Sequence, residues 1–187
     1  RHCVRALEAF LTRPDHPLQG LTLLSPQETR RIIKEWSQGA NEITDRRCAH
    51  ETLEEQASLN PDNLAVVFKD ESLTYQELNR RSNKLAHYLK KQGVGPRTLV
   101  ALCVERSLDM LVGLFGILKA GAAYVPLDPA YPSDWLKSVL DDSRTPLLLT
   151  QRSLLPSLPQ ERPEAICLDS ISEALDRESE ANLDSNV

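Results

Sequence analysis

The 187 residues are 41% hydrophobic and 26% charged, a balance that excludes wholesale disorder and suits one domain of ordinary size with an added segment. Twenty-two basic against 27 acidic residues leave a formal charge of −5, which argues against a dedicated nucleic-acid or anionic-membrane binder. The excess is local: residues 1–150 carry 19 of each sign, whereas residues 152–187 carry 3 basic and 8 acidic side chains.

In chain order, Val4, Leu7, Phe10 and Leu11 share one face of a helix predicted over residues 1–13. It starts uncapped at the first residue, so the chain is expected to be cut from a longer polypeptide. Pro14 and Pro17 end this helix because neither can continue the hydrogen-bond ladder. A short apolar stretch, 18–24, follows. Ser25-Pro26-Gln27-Glu28 is then a complete helix start: a hydroxyl to cap, a proline whose missing N–H costs nothing, and Glu28 to close a capping box. This second helix is expected to reach Trp36, and the polar residues 37–47 to form a linker. Leu21, Leu23, Leu24 and Trp36 are expected to lie against a covering surface.

From residue 64 the pattern becomes regular. Leu64–Phe68 reads as a strand and Lys69-Asp70-Glu71-Ser72 as a turn. Thr74 to Glu77 forms a second capping box, opening a helix with Leu78, Leu85 and Leu89 on one face and Gly93 at its end. Residues 98–104 form a continuous apolar strand. Ser107 caps a helix over 108–120 that is apolar almost all round and stops at Gly121. Further strands are predicted at 122–127, 147–150 and 165–168, with a short helix capped by Ser133 in between. Strands separated mostly by helices imply parallel β-α units covered on both faces, so the fold class is α/β with a mainly parallel sheet inside residues 64–168. Residues 172–187 have no strong apolar face and are expected to fray.

Chemistry-bearing motifs are scarce. Gly93-Val94-Gly95 lacks a third glycine and follows a helix, whereas a dinucleotide loop follows a strand. The last glycine is Gly121, so the final third cannot build a glycine-rich phosphate cradle. Cys3, Cys48, Cys103 and Cys167 form no Cys-x-x-Cys pair; His2–Cys3 and Cys48–His50 come nearest to a zinc spacing, and free thiols are the better reading. With no secretory leader visible, the thiols point to a reducing cytoplasm. The longest apolar run, 108–124, is broken by Lys119 and three glycines and is too short to span a bilayer. His16, between prolines, and His87, on a polar helix face, read as structural or solvated. Asp141 and Asp142 point about 100° apart on a helix and read as a solvated helix end. No catalytic, cofactor-binding or metal-ligating residue is assigned.

The string Leu118-Lys119-Ala120-Gly121-Ala122-Ala123-Tyr124-Val125-Pro126-Leu127-Asp128-Pro129, followed by Tyr131-Pro132, resembles the LKAGxAYVPLDP motif of amino-acid adenylation domains in nonribosomal peptide synthetases. Leu73-Thr74-Tyr75-Gln76-Glu77-Leu78 is similar to the core motif that precedes it. Cys48-Ala49-His50-Glu51, with Glu55-Gln56-Ala57 and Pro61, resembles the opening segment of those domains. Leu21 to Ser25, Glu28 and Glu35-Trp36 resemble the condensation-to-adenylation linker. Three positions depart from the pattern: Leu53 replaces a phenylalanine, Ser37 an asparagine and Trp135 an arginine.

The resemblance implies a division into the last helix of a condensation domain (1–17), a linker (18–47) and the truncated N-terminal part of an AMP-binding adenylation domain (48–187). It implies a parent protein that activates an amino acid with ATP as an aminoacyl-adenylate and loads it on a phosphopantetheinyl carrier protein, with Mg²⁺ required. Its partners would be the rest of the adenylation domain, the condensation domain and the carrier protein, with no nucleic acid and no membrane. The family's phosphate loop, pocket residues and late lysine lie beyond the matched region, so the chain alone is expected to be inactive and to hold no cofactor. Helix 108–120 is then expected to need cover from outside the chain. The alternatives are a non-catalytic truncated scaffold protein and a piece of an acyl-CoA ligase.

Overall fold

In the computed structural model, which describes residues 2–12, 24–36 and 47–183, the chain divides into two units between Arg46 and Arg47. The first holds α1 (His2–Thr12) and α2 (Pro26–Arg30), the latter continuing as a wider π turn, Arg31–Trp36. The predicted capping box forms: Glu28 N donates to Ser25 Oγ at 3.1 Å, and Ser25 N donates to the Glu28 carboxylate at 2.7 Å. The same carboxylate takes the Arg5 guanidinium at 2.6 Å and meets His2 Nε2 at 3.2 Å, which ties α1 to α2. The Ser25 hydroxyl, then its backbone N–H and Arg5, hold the Glu28 carboxyl far below the usual carboxylate range. The apolar face of α1 is open, with Leu11 83% exposed. Within this unit the Trp36 ring is exposed, with the Arg31 guanidinium 5.9 Å from its centroid. Leu21, Leu23 and the linker residues 37–46 lie outside the described residues.

The second unit starts with α3 (Ala49–Leu59), a helix in a segment where the sequence motif by itself implies no particular element. Cys48 N donates to Glu51 Oε2 at 2.8 Å at its start, and His50 and Leu53 turn inward. β1 (Leu64–Phe68) and β2 (Glu71–Thr74) pair antiparallel, with Val67 opposite Ser72 and Phe68 opposite Glu71. This corrects the four-residue turn predicted there. The reversal takes only Lys69, at φ +55°, and Asp70, so Glu71 and Ser72 are free to pair.

Four parallel strands make the main sheet, in the order β4-β3-β5-β6: β3 (Leu99–Leu102), β4 (Ala123–Pro126), β5 (Leu147–Thr150) and β6 (Glu164–Cys167). The predicted parallel sheet is thus confined to strands after residue 98. Period-two alternation sorts its side chains. Val100, Leu102, Leu147 and Leu149 join one core with α4 (Tyr75–Lys91) and α5 (Leu108–Lys119), while Ala101, Cys103 and Leu148 join a second with Leu136 and Leu140 of α6 (Ser133–Ser143). Pro132, not Ser133, occupies the cap position of α6, and no side-chain cap bond forms there. Ser133 is already helical, so its backbone has lost the extended geometry a capping hydroxyl needs.

Helix α5 is covered from within the chain on two sides, while Met110, Leu111, Leu114 and Phe115 stay only partly buried, so that face remains open to further cover. It lies between the sheet and α4, and Val112, Gly113, Gly116 and Ile117 are buried. Gly121, at φ +83°, ends it; Gly121 N and Ala122 N donate to the Leu118 and Ile117 carbonyls. Residues 172–183, expected to fray, instead form α7 (Ser172–Asp176), after a 3₁₀ turn at Leu168–Ser170, and return along α4, with Leu168, Ile171, Leu175 and Leu183 packed on the core.

Packing and charge here each yield a test. A Cβ at Gly116 would sit 2.7 Å from Leu85 Cδ2 and 3.0 Å from Leu85 Cβ, whereas at Gly113 it meets only side-chain tips at 3.0 Å or more. Alanine gains about 1 kcal/mol of helix propensity at either site, but overpacking a rigid contact costs about 1–3 kcal/mol. Urea titration should therefore show Gly116→Ala destabilised and Gly113→Ala near neutral or better. Separately, Thr74 caps α4 through the Glu77 N–H at 3.2 Å, but the Glu77 carboxylate turns to Arg80 (2.8 Å) and Arg81 (2.6 Å) instead of back to the cap. The Arg80 hydrogen bond chiefly, with Arg81 helping and burial opposing, brings its pKa from 4.5 to about 2. A carboxyl depressed on folding stabilises fully above the unfolded value and loses that contribution as pH falls through the folded one. The urea midpoint should thus fall between about pH 4.5 and 2 more steeply for the native chain than for Glu77→Gln.

Candidate functional site

The twelve-residue motif spans the end of α5, all of β4 and the loop beyond it. Its backbone is tied at both ends of the strand: Ala123 N donates to Thr98 O at 3.0 Å, and Leu127 N to Leu102 O at 2.9 Å. The loop then tightens around Asp128, whose carboxylate accepts Ala130 N at 2.9 Å and whose carbonyl accepts Tyr131 N at 3.1 Å. Asp128 is therefore a turn-forming residue. The ring of Tyr131 lies 4.4 Å from that of Trp135, tilted by 36°. Both rings stay exposed, Trp135 at 44% and Tyr131 at 51%, and nothing in the structure explains the departure at 135.

The carboxyl ends of β3 and β4 border a cavity of about 710 Å³, lined by Leu102, Met110, Leu114, Tyr124, Pro126 and Tyr131 among others. The connection leaving β3 crosses the sheet face that α5 covers, and the one leaving β4 crosses the face that α6 covers. The strand order reverses between the neighbours β3 and β5, so this cavity, beside β3, β4 and α5, does not lie at the switch point where open α/β sheets hold ligands. Here its lining is mostly apolar; the ionic groups are the exposed Glu105, Arg106 and Asp128, and no glycine lies among the lining residues. A phosphate would find no backbone nest in it. Cys103, buried behind the β3 end, has its thiol pushed up to about 11 by burial and then by the Asp128 charge, so it is no nucleophile near neutrality.

A second cavity, of about 400 Å³, lies between α4 and α5 and sets Arg80, Arg81 and Lys84 against Asp109, Asp169 and Asp176. Its cations are already committed: Arg80 to Glu77 and Glu180, Arg81 to Glu77, Lys84 to Glu180 at 3.1 Å. Among the described residues no three His, Cys, Asp or Glu side chains gather as metal ligands. His87 Nε2 lies 3.0 Å from the Ala181 carbonyl, and Asp141 pairs with Lys137 at 3.4 Å. His16 lies outside the described residues.

Sequence reasoning misses one charge as a determinant of the motif. Lys119 ends α5 with a fully buried side chain and pairs with Glu54 of α3. Burial lowers its pKa, and the Glu54 hydrogen bond opposes that shift. The signal is present in the sequence: a lone lysine deep in an apolar run, and a glutamate-rich segment, Glu51 to Glu55, to meet it.

Comparison with known proteins places this arrangement. Residues 53–186 match the AMP-binding enzyme family. A linear gramicidin synthase of Brevibacillus parabrevis is 43% identical over 181 residues, 97% of this chain but 4% of that protein. Tyrocidine synthase 3 of the same organism is 42% identical over 172 residues, 90% of this chain and 3% of that protein. The nonribosomal peptide synthetase FmoA3, in its α-methyl-L-serine-AMP bound form, aligns over 97% of this chain and 21% of its own with 28% identity and a TM-score of 0.72. The N-terminal subdomain of NpsA from Klebsiella oxytoca shares the fold, at 20% identity and a TM-score of 0.64 over 73% of this chain and 34% of that one. The chain belongs to the AMP-binding enzyme family. Within it, the chain corresponds to the N-terminal part of a nonribosomal peptide synthetase adenylation domain, and it spans only 3–4% of the length of the two Brevibacillus synthetases and 21% of the FmoA3 chain.

The buried pair yields an ordered prediction. Glu54 keeps about a fifth of its side chain in solvent, whereas Lys119 keeps none. Removing the carboxylate strands a buried ammonium, while removing the ammonium leaves a carboxylate that water can reach. Glu54→Gln should therefore cost about 1–3 kcal/mol and Lys119→Met less than about 1 kcal/mol, as measured by urea unfolding.

Proposed function

We propose that this chain is the scaffold layer of an adenylation domain, in a parent protein that activates an amino acid with ATP as an aminoacyl-adenylate and passes it to a carrier protein's phosphopantetheine. The observation that carries this reading is the FmoA3 structure, bound to an aminoacyl-AMP and alignable over nearly the whole chain. Residues 1–17, 18–47 and 48–187 are assigned to the end of a condensation domain, the linker, and the first part of the adenylation domain. The Ser25–Glu28 capping box supports the linker assignment, because a free-standing acyl-CoA ligase has no need of that segment. The partners are the remainder of the synthetase, namely the rest of the adenylation domain, the condensation domain and the carrier protein. The four free thiols favour a reducing cytoplasm, and no described helix is long and apolar enough to cross a membrane.

The residues of this chain act by position. Gly116 and Gly121 set the approach and the end of α5, Lys119 anchors α3, and Pro126, Asp128 and Pro129 steer the chain across the strand ends. Neither cavity offers the donor set that ATP or Mg²⁺ requires, because their cations are paired or exposed and their carboxylates are dispersed. Nucleotide, metal and phosphopantetheine are therefore assigned to other parts of the parent, and no catalytic, cofactor-binding or metal-ligating residue is assigned here.

Pyrophosphate exchange tests the proposal. Residues 1–187 alone are expected to give no amino-acid-dependent exchange with any proteinogenic amino acid. The same residues joined to the rest of the adenylation domain are expected to exchange with one or a few. Exchange by the isolated chain, or none by the joined protein, would overturn the assignment.

A further inference from the structure

We propose that the α4 face bearing Asn79, Arg80, Asn83, Lys84, His87 and Lys91 is a docking track for an acidic segment, and that this chain's own residues 176–183 occupy it as a releasable strap. The inference does not depend on the proposed function. Alternate residues of the segment, Asp176, Glu178, Glu180 and Asn182, all meet this face. Lys84 reaches Asp176 at 3.5 Å and Glu180 at 3.1 Å, Arg80 reaches Glu180 at 2.7 Å, and Lys91 reaches Glu178 at 2.7 Å. Between the ion pairs, Asn83 Nδ2 donates to the Glu180 carbonyl at 2.7 Å and to Asn182 Oδ1 at 2.9 Å, Asn79 Nδ2 donates to Asn182 Oδ1 at 2.9 Å, and His87 Nε2 meets the Ala181 carbonyl at 3.0 Å. Residues 79, 83, 87 and 91 form one i,i+4 row of the helix, so the track is a single stripe.

The track reads both charge and backbone. α4 carries five Lys and Arg against the single acid Glu77, and the segment lies in the acid-rich end of the chain. Apolar residues anchor both ends of the strap, Leu175 just before it and Leu183 as its last residue, and the cavity of about 400 Å³ lies beside its first residues. Each ion pair of its polar middle keeps one partner in water: Lys91 is 66% exposed against 8% for Glu178, and Asp176 and Glu180 are 78% and 51% exposed against 12% for Lys84, so salt weakens these pairs in part. The amide oxygens of Asn79 and Asn83 are buried without a hydrogen-bond partner, so the strap does not satisfy the track fully.

Arg177, exposed within the strap, reports its state as a trypsin site. Cleavage after Arg177 in residues 1–187, read by mass spectrometry and normalised to a free peptide of residues 172–183, should rise about tenfold between roughly 0.05 and 1 M salt. Arg80→Gln/Lys84→Gln should give a rise of about the same size at low salt. Hydrogen exchange in β3 and β5 should stay unchanged throughout. A rise above about threefold in the salt series with a steady core supports the strap, and should the double variant not fold, that series decides alone. A change below about threefold in the salt series, or cleavage that rises only in step with core exchange, overturns it.

Discussion

The rest of the second unit depends on the closeness with which α5 approaches α4. At Gly116 the absent side chain lets Leu85 lie where a Cβ would stand, and at Gly113 the Leu102 side chain reaches the helix from the sheet. A helix that is apolar almost all round has no solvent face, so it must be enclosed or it will aggregate. Here the enclosure comes from α4 on one side and the sheet on the other, while α3 is held to its end by Lys119. Because interiors are packed like crystals, a glycine at the crossing is a dimension of the fold as much as a residue of the sequence.

Charge in this chain serves mainly to hold segments in place. Glu28 joins two helices, Glu77 gathers two arginines, Lys119 ties α3 to α5, and the acidic residues after 175 follow α4. These commitments also explain why neither cavity has the look of a reaction centre. A phosphate site needs donors that are free and aimed inward, whereas the cations around the α4–α5 cavity already face carboxylates of the same chain. The cavity at the β3 and β4 ends lies beside α5, away from the β3/β5 switch point, and its lining is mostly apolar.

What the sequence determined by itself was everything set by neighbours a few residues apart. The side-chain caps at Ser25, Thr74 and Ser107 form, since a capping bond closes within three residues, although only Ser25 completes its box. The strand Leu147–Thr150 and the helix ending at Gly121 have the expected bounds to within a residue, because uninterrupted apolar patterns and an obligatory left-handed glycine are local signals. The adenylation motif was legible for the same reason: it is one continuous string. Only the tertiary structure decided the long-range matters. Glu71 and Ser72 became a strand because β1 lay ready to pair with them, Lys119 acquired its purpose from Glu54 sixty-five positions away, and an acidic tail without an apolar face became ordered by a helix roughly 100 residues earlier. Those contacts lower the free energy only after the chain between them has folded, so no periodicity in the sequence records them.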